Sequence, residues 1–333
     1  MKLLTDRVVL LVALLVVLVA WMNILSANGY LVADYDLSYM ASALESVVPL
    51  CILGLAELLV VVSGRGGIDL SVGSMVSLVG MVFGVLVGLW HWPVWIALLV
   101  ALLCGGVLGA VNGFLVAWLG VPALIATLAT YYAFSSLALV LNNNAPISTP
   151  AVQELHSLTS SVGDIPLQVF TFLVPCAVVI WLLANRTNYG RKLYAVGTNE
   201  SAARFAGLPV VSIRFRAYLL SGLLSAVVAV VTVAQFASAR PDAGTVGNGM
   251  ALPAITIAIL GGTAITGGIG RVGGVLLASL FVVWLNAGIL LAFEDSRGSQ
   301  YQLLALGAVL ILSALLNRVT LRRGGVASRG IGR

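Results

Sequence analysis

The sequence predicts an all-α polytopic membrane protein, one transmembrane domain over residues 1–333 with about ten transmembrane helices, some short or broken, and both termini cytoplasmic. Three observations carry this expectation. The 333 residues are 60% hydrophobic and 9% charged, with a mean hydropathy of +1.09, whereas soluble domains run at about 45–50% and about 25%. Apolar runs of about 18 or more residues recur and are continuous rather than alternating, which selects helices over a closed barrel as the way to satisfy backbone groups in lipid. The basic residues also segregate to one side once ten spans are drawn.

The first span, 8–25, follows Lys2 and Arg7. It is longer than the ~7–15-residue core of a signal peptide and lacks a clear cleavage site, so it reads as an anchor. The next are 44–62, 70–89, 94–119, 122–141, 166–185, 215–238, 251–269, 272–292 and 300–317. The turns at 119–122 and 269–272 leave almost no loop, so each joins an antiparallel hairpin or one member of the pair is broken. Gly80, Gly84 and Gly88, and again Gly105, Gly109 and Gly113, recur every fourth residue and allow close helix approach, read as general tight packing rather than a dimer seam. Pro175 and Pro253 add bends, and Trp90, Trp92 and Trp95 form an interfacial belt.

With this layout fifteen of the 17 basic residues fall inside and two, Arg240 and Arg297, outside. Asp34, Asp36, Glu45, Glu154, Asp164, Asp242, Glu294 and Asp295 fall outside, and residues 318–333 form a basic cytoplasmic tail.

Enzymatic chemistry has little to stand on. Cys51, Cys104 and Cys176 lie in apolar runs and read as packing residues, and His91 and His156 sit alone in outer loops, so no metal site is expected. The GxGxxG string Gly268, Gly270, Gly273, with Glu294 beyond it, joins two apolar helices instead of opening a βαβ unit, and reads as coincidence. No GxxxxGK[ST] occurs, so the chain should not bind ATP through a P-loop. No nucleic-acid partner is expected.

The largest polar segment, 186–214, lies between the sixth and seventh spans. In it Asn199 can cap a short helix, Glu200 suits the first turn, Gly207 fits the left-handed position past the end, and Pro209 stops continuation. Ala202, Ala203 and Ala206 leave a shallow face for the groove of a cytoplasmic partner; the alternative is a merely solvated loop. Within the membrane, Glu57 is costly and marks a functional site or a buried pair. Asn112, Thr127, Thr130, Tyr131, Gln235 and Asn286 supply further hydroxyl and amide groups for a solute pathway or for interhelical hydrogen bonds. Asp69 is placed to accept backbone N–H groups at the start of the third span, with Ser71 as a second cap candidate and Gly64, Gly66 and Gly67 permitting the turn; the site reads as a structural cap, with substrate contact as the alternative.

Three separated segments, GGIDLSVGSMVSL (66–78), GRKLYAVGTNESAARFAGLPVVSIRF (190–215) and ILGGTAITGGIGRVGGVLL (259–277), resemble the permease subunit of ribose-type ABC importers, in the family's order from about residue 45 to 317. The resemblance implies a multi-pass subunit of the bacterial inner membrane that imports a sugar or similar hydroxylated solute. Its partners would be a second permease chain, an extracytoplasmic sugar-binding protein and a cytoplasmic ATPase with two nucleotide-binding domains. No cofactor would sit on this chain, and ATP-Mg would bind the ATPase. Coupling would fall to Thr198, Asn199, Glu200, Ala202, Ala203, Arg204 and Gly207, with Gly67, Asp69, Ser71, Gly73, Gly261, Gly262, Gly267 and Gly268 as the motif framework.

The chain departs from the family pattern at Ala251, Leu252 and Pro253, where many members carry Glu-Leu-Asp. It departs again at Ser135 or Ser136, in place of a common arginine, and in the extra residues of SGRGGIDL before Ile68. The rivals are an ion-coupled secondary transporter or channel, which should carry more intramembrane charge than Glu57 alone, and a non-transporting scaffold.

Overall fold

A computed structural model describes residues 7–245, 249–293 and 296–328. Along the chain lie α1 (Arg7–Ala27), α2 (Leu37–Ser42), α3 (Leu44–Val62), α4 (Val72–Gly84), α5 (Val94–Gly113), α6 (Ala123–Val140), α7 (Pro150–Gln153), α8 (Val174–Arg186), α9 (Asn188–Thr198), α10 (Glu200–Phe205), α11 (Val210–Gln235), α12 (Ala251–Leu260), α13 (Val272–Ala292) and α14 (Ser296–Ser328). A two-residue antiparallel pair, β1 (Ser161–Val162) with β2 (Ile165–Pro166), precedes α8. Nine of the described helical stretches are long and apolar enough to cross a membrane.

Sequence explains which helices lie inside. α3, α4 and α11 are largely apolar all round and form the buried centre, with a few buried polar residues, while α1, α5, α8 and α14 keep most of their apolar surface outward, as lipid-facing helices do. Both glycine rows work within the chain. On α5, Gly105 and Gly109 meet the backbone of Gly222 and Tyr218 on α11; on α4, Gly80 faces Ala229 and Val233. Helix backbones touch there because no side chain intervenes.

Of the two tight turns, the first is a hairpin: α5 closes in a π-helical turn (Phe114–Trp118), Gly120 (φ 71°) reverses the chain, and α6 starts beyond Pro122. The second contains the broken member. The expected span 251–269 is instead the ten-residue α12, which ends at Leu260 where Gly261 and Gly262 (φ 96°) terminate it. Ten residues rise about 15 Å, half of a bilayer core of about 30 Å.

The other half of that layer is filled by residues 236–245, which follow α11. Ala239 packs on Gly84, and further on the Gly244 N–H donates to Ser77 Oγ at 3.0 Å while its backbone rests on Gly73. This segment therefore runs back alongside α4, irregular backbone at membrane depth that is tolerated because protein surrounds it. Arg240 and Asp242, expected in an outer loop, lie on it.

Smaller differences sit at element ends. α11 begins at Val210 rather than 215, because Pro209 starts it directly, and α8 is entered through a π-helical turn (Val169–Leu173) after β2 rather than from Pro166. The backbone of α14 continues to Ser328, so 318–328 extend a helix where a tail was expected; residues 329–333 of that tail, and Glu294 and Asp295, lie outside the described residues.

Candidate functional site

The end of the bundle that carries the 186–214 segment gathers all three motifs. Its inner layer is a buried hydrogen-bond network centred on Asp69, which sits at zero exposure in the loop between α3 and α4. Asp69 Oδ1 accepts from Ser71 N–H at 3.1 Å, Ser71 Oγ at 2.6 Å and Asn112 Nδ2 at 3.3 Å, and Oδ2 accepts from Ser221 Oγ at 3.0 Å. Four donors on one carboxyl group are what a buried acid requires. Asn112 also donates to Ser71 Oγ at 2.7 Å, and its own carbonyl accepts from Thr130 Oγ1 at 2.7 Å.

Thr127 donates to Ala123 O at 2.8 Å and to Ile68 O at 3.3 Å. Glu57 reaches this layer from α3, where its Oε2 accepts the Asp69 N–H at 3.3 Å and its Oε1 has no hydrogen-bond partner. Asp69 therefore does more than start α4: with Glu57, Asn112, Thr130 and Ser221 it ties α3, α4, α5, α6 and α11 at one level.

Beneath that network, three backbones meet. Gly197, in the last turn of α9, rests on the Val62 carbonyl at the end of α3, and that carbonyl accepts the Gly268 N–H at 3.0 Å. Gly267 (φ 93°) packs on Gly64, Gly268 (φ 73°) packs on Thr198, and Tyr194 Oη donates to Gly270 O at 2.9 Å. A methyl group on Gly64, Gly197, Gly267 or Gly268 would overlap backbone atoms of its neighbour, and one on Gly270 would press on the Val62 side chain. Gly67 and Gly73 are likewise closed in by Val60 O and Gly244 O, and Gly261 by Gly274.

The outer layer is the 186–214 segment. Asn199 closes α9 and caps α10, its Oδ1 accepting the Ala202 N–H at 3.0 Å. Gly207 takes φ 74° just past the end. Glu200 bridges two arginines: Arg204, one turn on, at 2.6 Å, and Arg214 of α11 at 2.8 Å. Arg214 is 1% exposed and also donates to Ser63 O at 3.4 Å, so α10 is fastened to α11 and to the end of α3. Burial raises the Glu200 pKa, but the hydrogen bonds and charges of Arg214 and Arg204 outweigh it and hold the carboxyl down at about 2.

The alanines divide: Ala203 is buried against the body of the protein, which corrects its expected place on the partner-facing surface, whereas Ala202 and Ala206 are exposed. Phe205 points outward and is 94% exposed. Composition alone could not single out Phe205 among the aromatics. Arg214 and Ser221 did have a signal, since Arg214, Tyr218, Ser221 and Ser225 repeat at helical spacing and all four are buried on one face of α11.

The remaining pathway candidates lie apart. Tyr131 packs edge-on against Tyr132 on the half-exposed side of α6, the Gln235 amide donates to Glu45 O at 2.7 Å at the far end of α11, and Asn286 lies on α13, where its backbone carbonyl accepts from Gln302.

Residues 39–314 match the family described as branched-chain amino acid transport system / permease component. The chain belongs to this permease family. Among its relatives, the permease is 34% identical to the ribose import permease protein RbsC of Escherichia coli K12 over 306 residues, 91% of either chain. It is 34% identical to the autoinducer 2 import system permease protein LsrD of Klebsiella pneumoniae over 294 residues, 85% of this chain and 84% of that one. The LsrD of Photorhabdus laumondii is 32% identical over 293 residues. No solved structure matches significantly. The permease is a multi-pass membrane subunit of an import system and is not itself the catalytic component.

Proposed function

We propose that this permease forms the inner-membrane pathway of a binding-protein-dependent ABC importer for a sugar or similarly hydroxylated small solute. A separate ATPase with two nucleotide-binding domains drives it, and a second permease chain, identical or homologous, completes the pathway. The observation that carries this reading is α10: a capped two-turn helix, fastened by a buried arginine to a central helix, that holds a nearly fully exposed phenylalanine outward. An exposed aromatic on a rigid support is an anchor for a partner's apolar pocket. Movement of that partner would pass to α11 through Arg214 and to α3 and the 261–271 turn through Gly197. Alternating access follows, with the extracytoplasmic binding protein loading the outer side. The substrate class rests on relatives named for ribose and autoinducer 2 import.

The test is purification of the C-terminally tagged permease from its native membranes, with identification of its companions by mass spectrometry. Recovery of an ATPase carrying two P-loops is the expected result. Its absence, also after crosslinking in place through the 186–214 segment, would overturn the reading in favour of an ion-driven carrier. Uptake assays with ribose, autoinducer 2 and a branched-chain amino acid then assign the solute.

A further inference from the structure

The segment between α11 and α12 places two opposite charges at membrane depth. Gly244 is hydrogen-bonded to Ser77, inside the transmembrane stretch Val72–Leu89, and Ala239 packs on Gly84 in the same helix. Arg240 and Asp242 lie between those two anchor points. Their side chains pair at 3.6 Å and each stays 39% exposed, and the Arg240 guanidinium lies over the ring of Phe236, 5.3 Å from its centroid. Phe236 itself is 49% exposed.

Lipid cannot be what covers this face. A charged pair at depth faces either a water-filled cavity or the interior of an assembly. The contrast is α5, whose outward residues Leu99, Leu103 and Val107 are all apolar and exposed, as a lipid-facing surface should be. The chemistry of the three residues is also specific. An aromatic ring offers a flat apolar surface, the guanidinium offers several donors, and the carboxylate offers acceptors, the complement of a small ring compound with hydroxyl groups on its edge.

We propose that Phe236, Arg240 and Asp242 line the solute pathway of this permease and contact the solute as it crosses. The solute class rests on the importer reading above; the exclusion of lipid from this face does not. This assignment moves the contact site away from the Asp69 network, whose members are buried, to the irregular half of the eighth transmembrane layer.

The first test introduces Ala243→Cys into a chain whose Cys51, Cys104 and Cys176 are replaced by alanine. The assembled complex in proteoliposomes is then treated with a membrane-impermeant methanethiosulfonate. Ala243→Cys should react at least tenfold faster than Leu103→Cys, a control on the 69% exposed apolar face of α5. Reaction no faster than the control would overturn the proposal.

The second test keeps the native cysteines and compares Asp242→Asn with the unaltered complex. Solute moved per ATP hydrolysed should fall at least tenfold, and the loss should be smaller for a deoxy analogue lacking one hydroxyl. Unchanged uptake, or equal loss for both solutes, would contradict solute contact. If the unaltered complex moves no hydroxylated solute, the importer reading fails, while the accessibility result still reports whether water reaches this face.

Discussion

Glu200 joins two guanidinium groups in unequal surroundings. Arg204 is solvated, and its pair with Glu200 is an ordinary helix-surface contact worth about 0.3–0.5 kcal/mol. Arg214 is buried, so its partner matters more: removing one member of a buried pair strands the other charge. Glu200→Gln should therefore destabilise the permease by up to about 3 kcal/mol, the lower end for buried pairs because Glu200 keeps some exposure. Arg204→Ala should cost no more than the surface-pair value above. Thermal unfolding of the two variants in detergent checks the difference.

The pH dependence follows in sign. The Glu200 carboxyl is held down at about 2, below its ordinary 4.5. Its stabilising contribution is complete above the ordinary value and is lost as pH falls through about 2. Between pH 5 and 8 the deficit of Glu200→Gln should be constant. A deficit that varies across that interval would mean that another group titrates in the link.

Among the elements, the junction of α9, α3 and the turn before α13 carries the most consequence, because its contacts are backbone on backbone and leave no slack. Gly197→Ala would press a methyl group on the Val62 carbonyl, a strain of about 1–3 kcal/mol. Gly273→Ala, at the start of α13 where nothing lies within 4 Å, should be neutral or stabilising by a few tenths up to about 1 kcal/mol. Gly197→Ala should retain ATP hydrolysis in the assembled complex and lose most uptake; Gly273→Ala should keep both. Paired hydrolysis and uptake measurements decide this, and equal proportional loss of both activities in Gly197→Ala would mean simple damage.

At the scale of the whole molecule, the features legible in the sequence were those set by local chemistry. Continuous apolar runs located the long spans, and Asn199, Gly207 and Pro209 located α10 to within a residue. Hydropathy extends α12 too far because Ala264, Ile265 and Ile269 keep the turn after it apolar, and it cannot distinguish buried irregular backbone from helix. The paired glycines at 261–262 and 267–268 held that information. The Asp69 network was only partly legible. Glu57, Asn112 and Thr127 stood out as costly polar groups, but their meeting with Ser221 depends on how α3, α5, α6 and α11 pack, which no local pattern encodes.

The same distinction separates the two ways such a molecule could be powered. Its buried carboxyl groups are engaged in a structural network, and under the importer reading its fastened outward helix would receive motion from a partner. The most direct measurement is solute uptake into proteoliposomes containing the permease, its ATPase and its binding protein, with ATP supplied and ion gradients set independently. Uptake that requires ATP and persists after ionophores collapse the proton and sodium gradients is the result this account predicts. Uptake by the permease alone, driven by an imposed ion gradient without ATP, would contradict it.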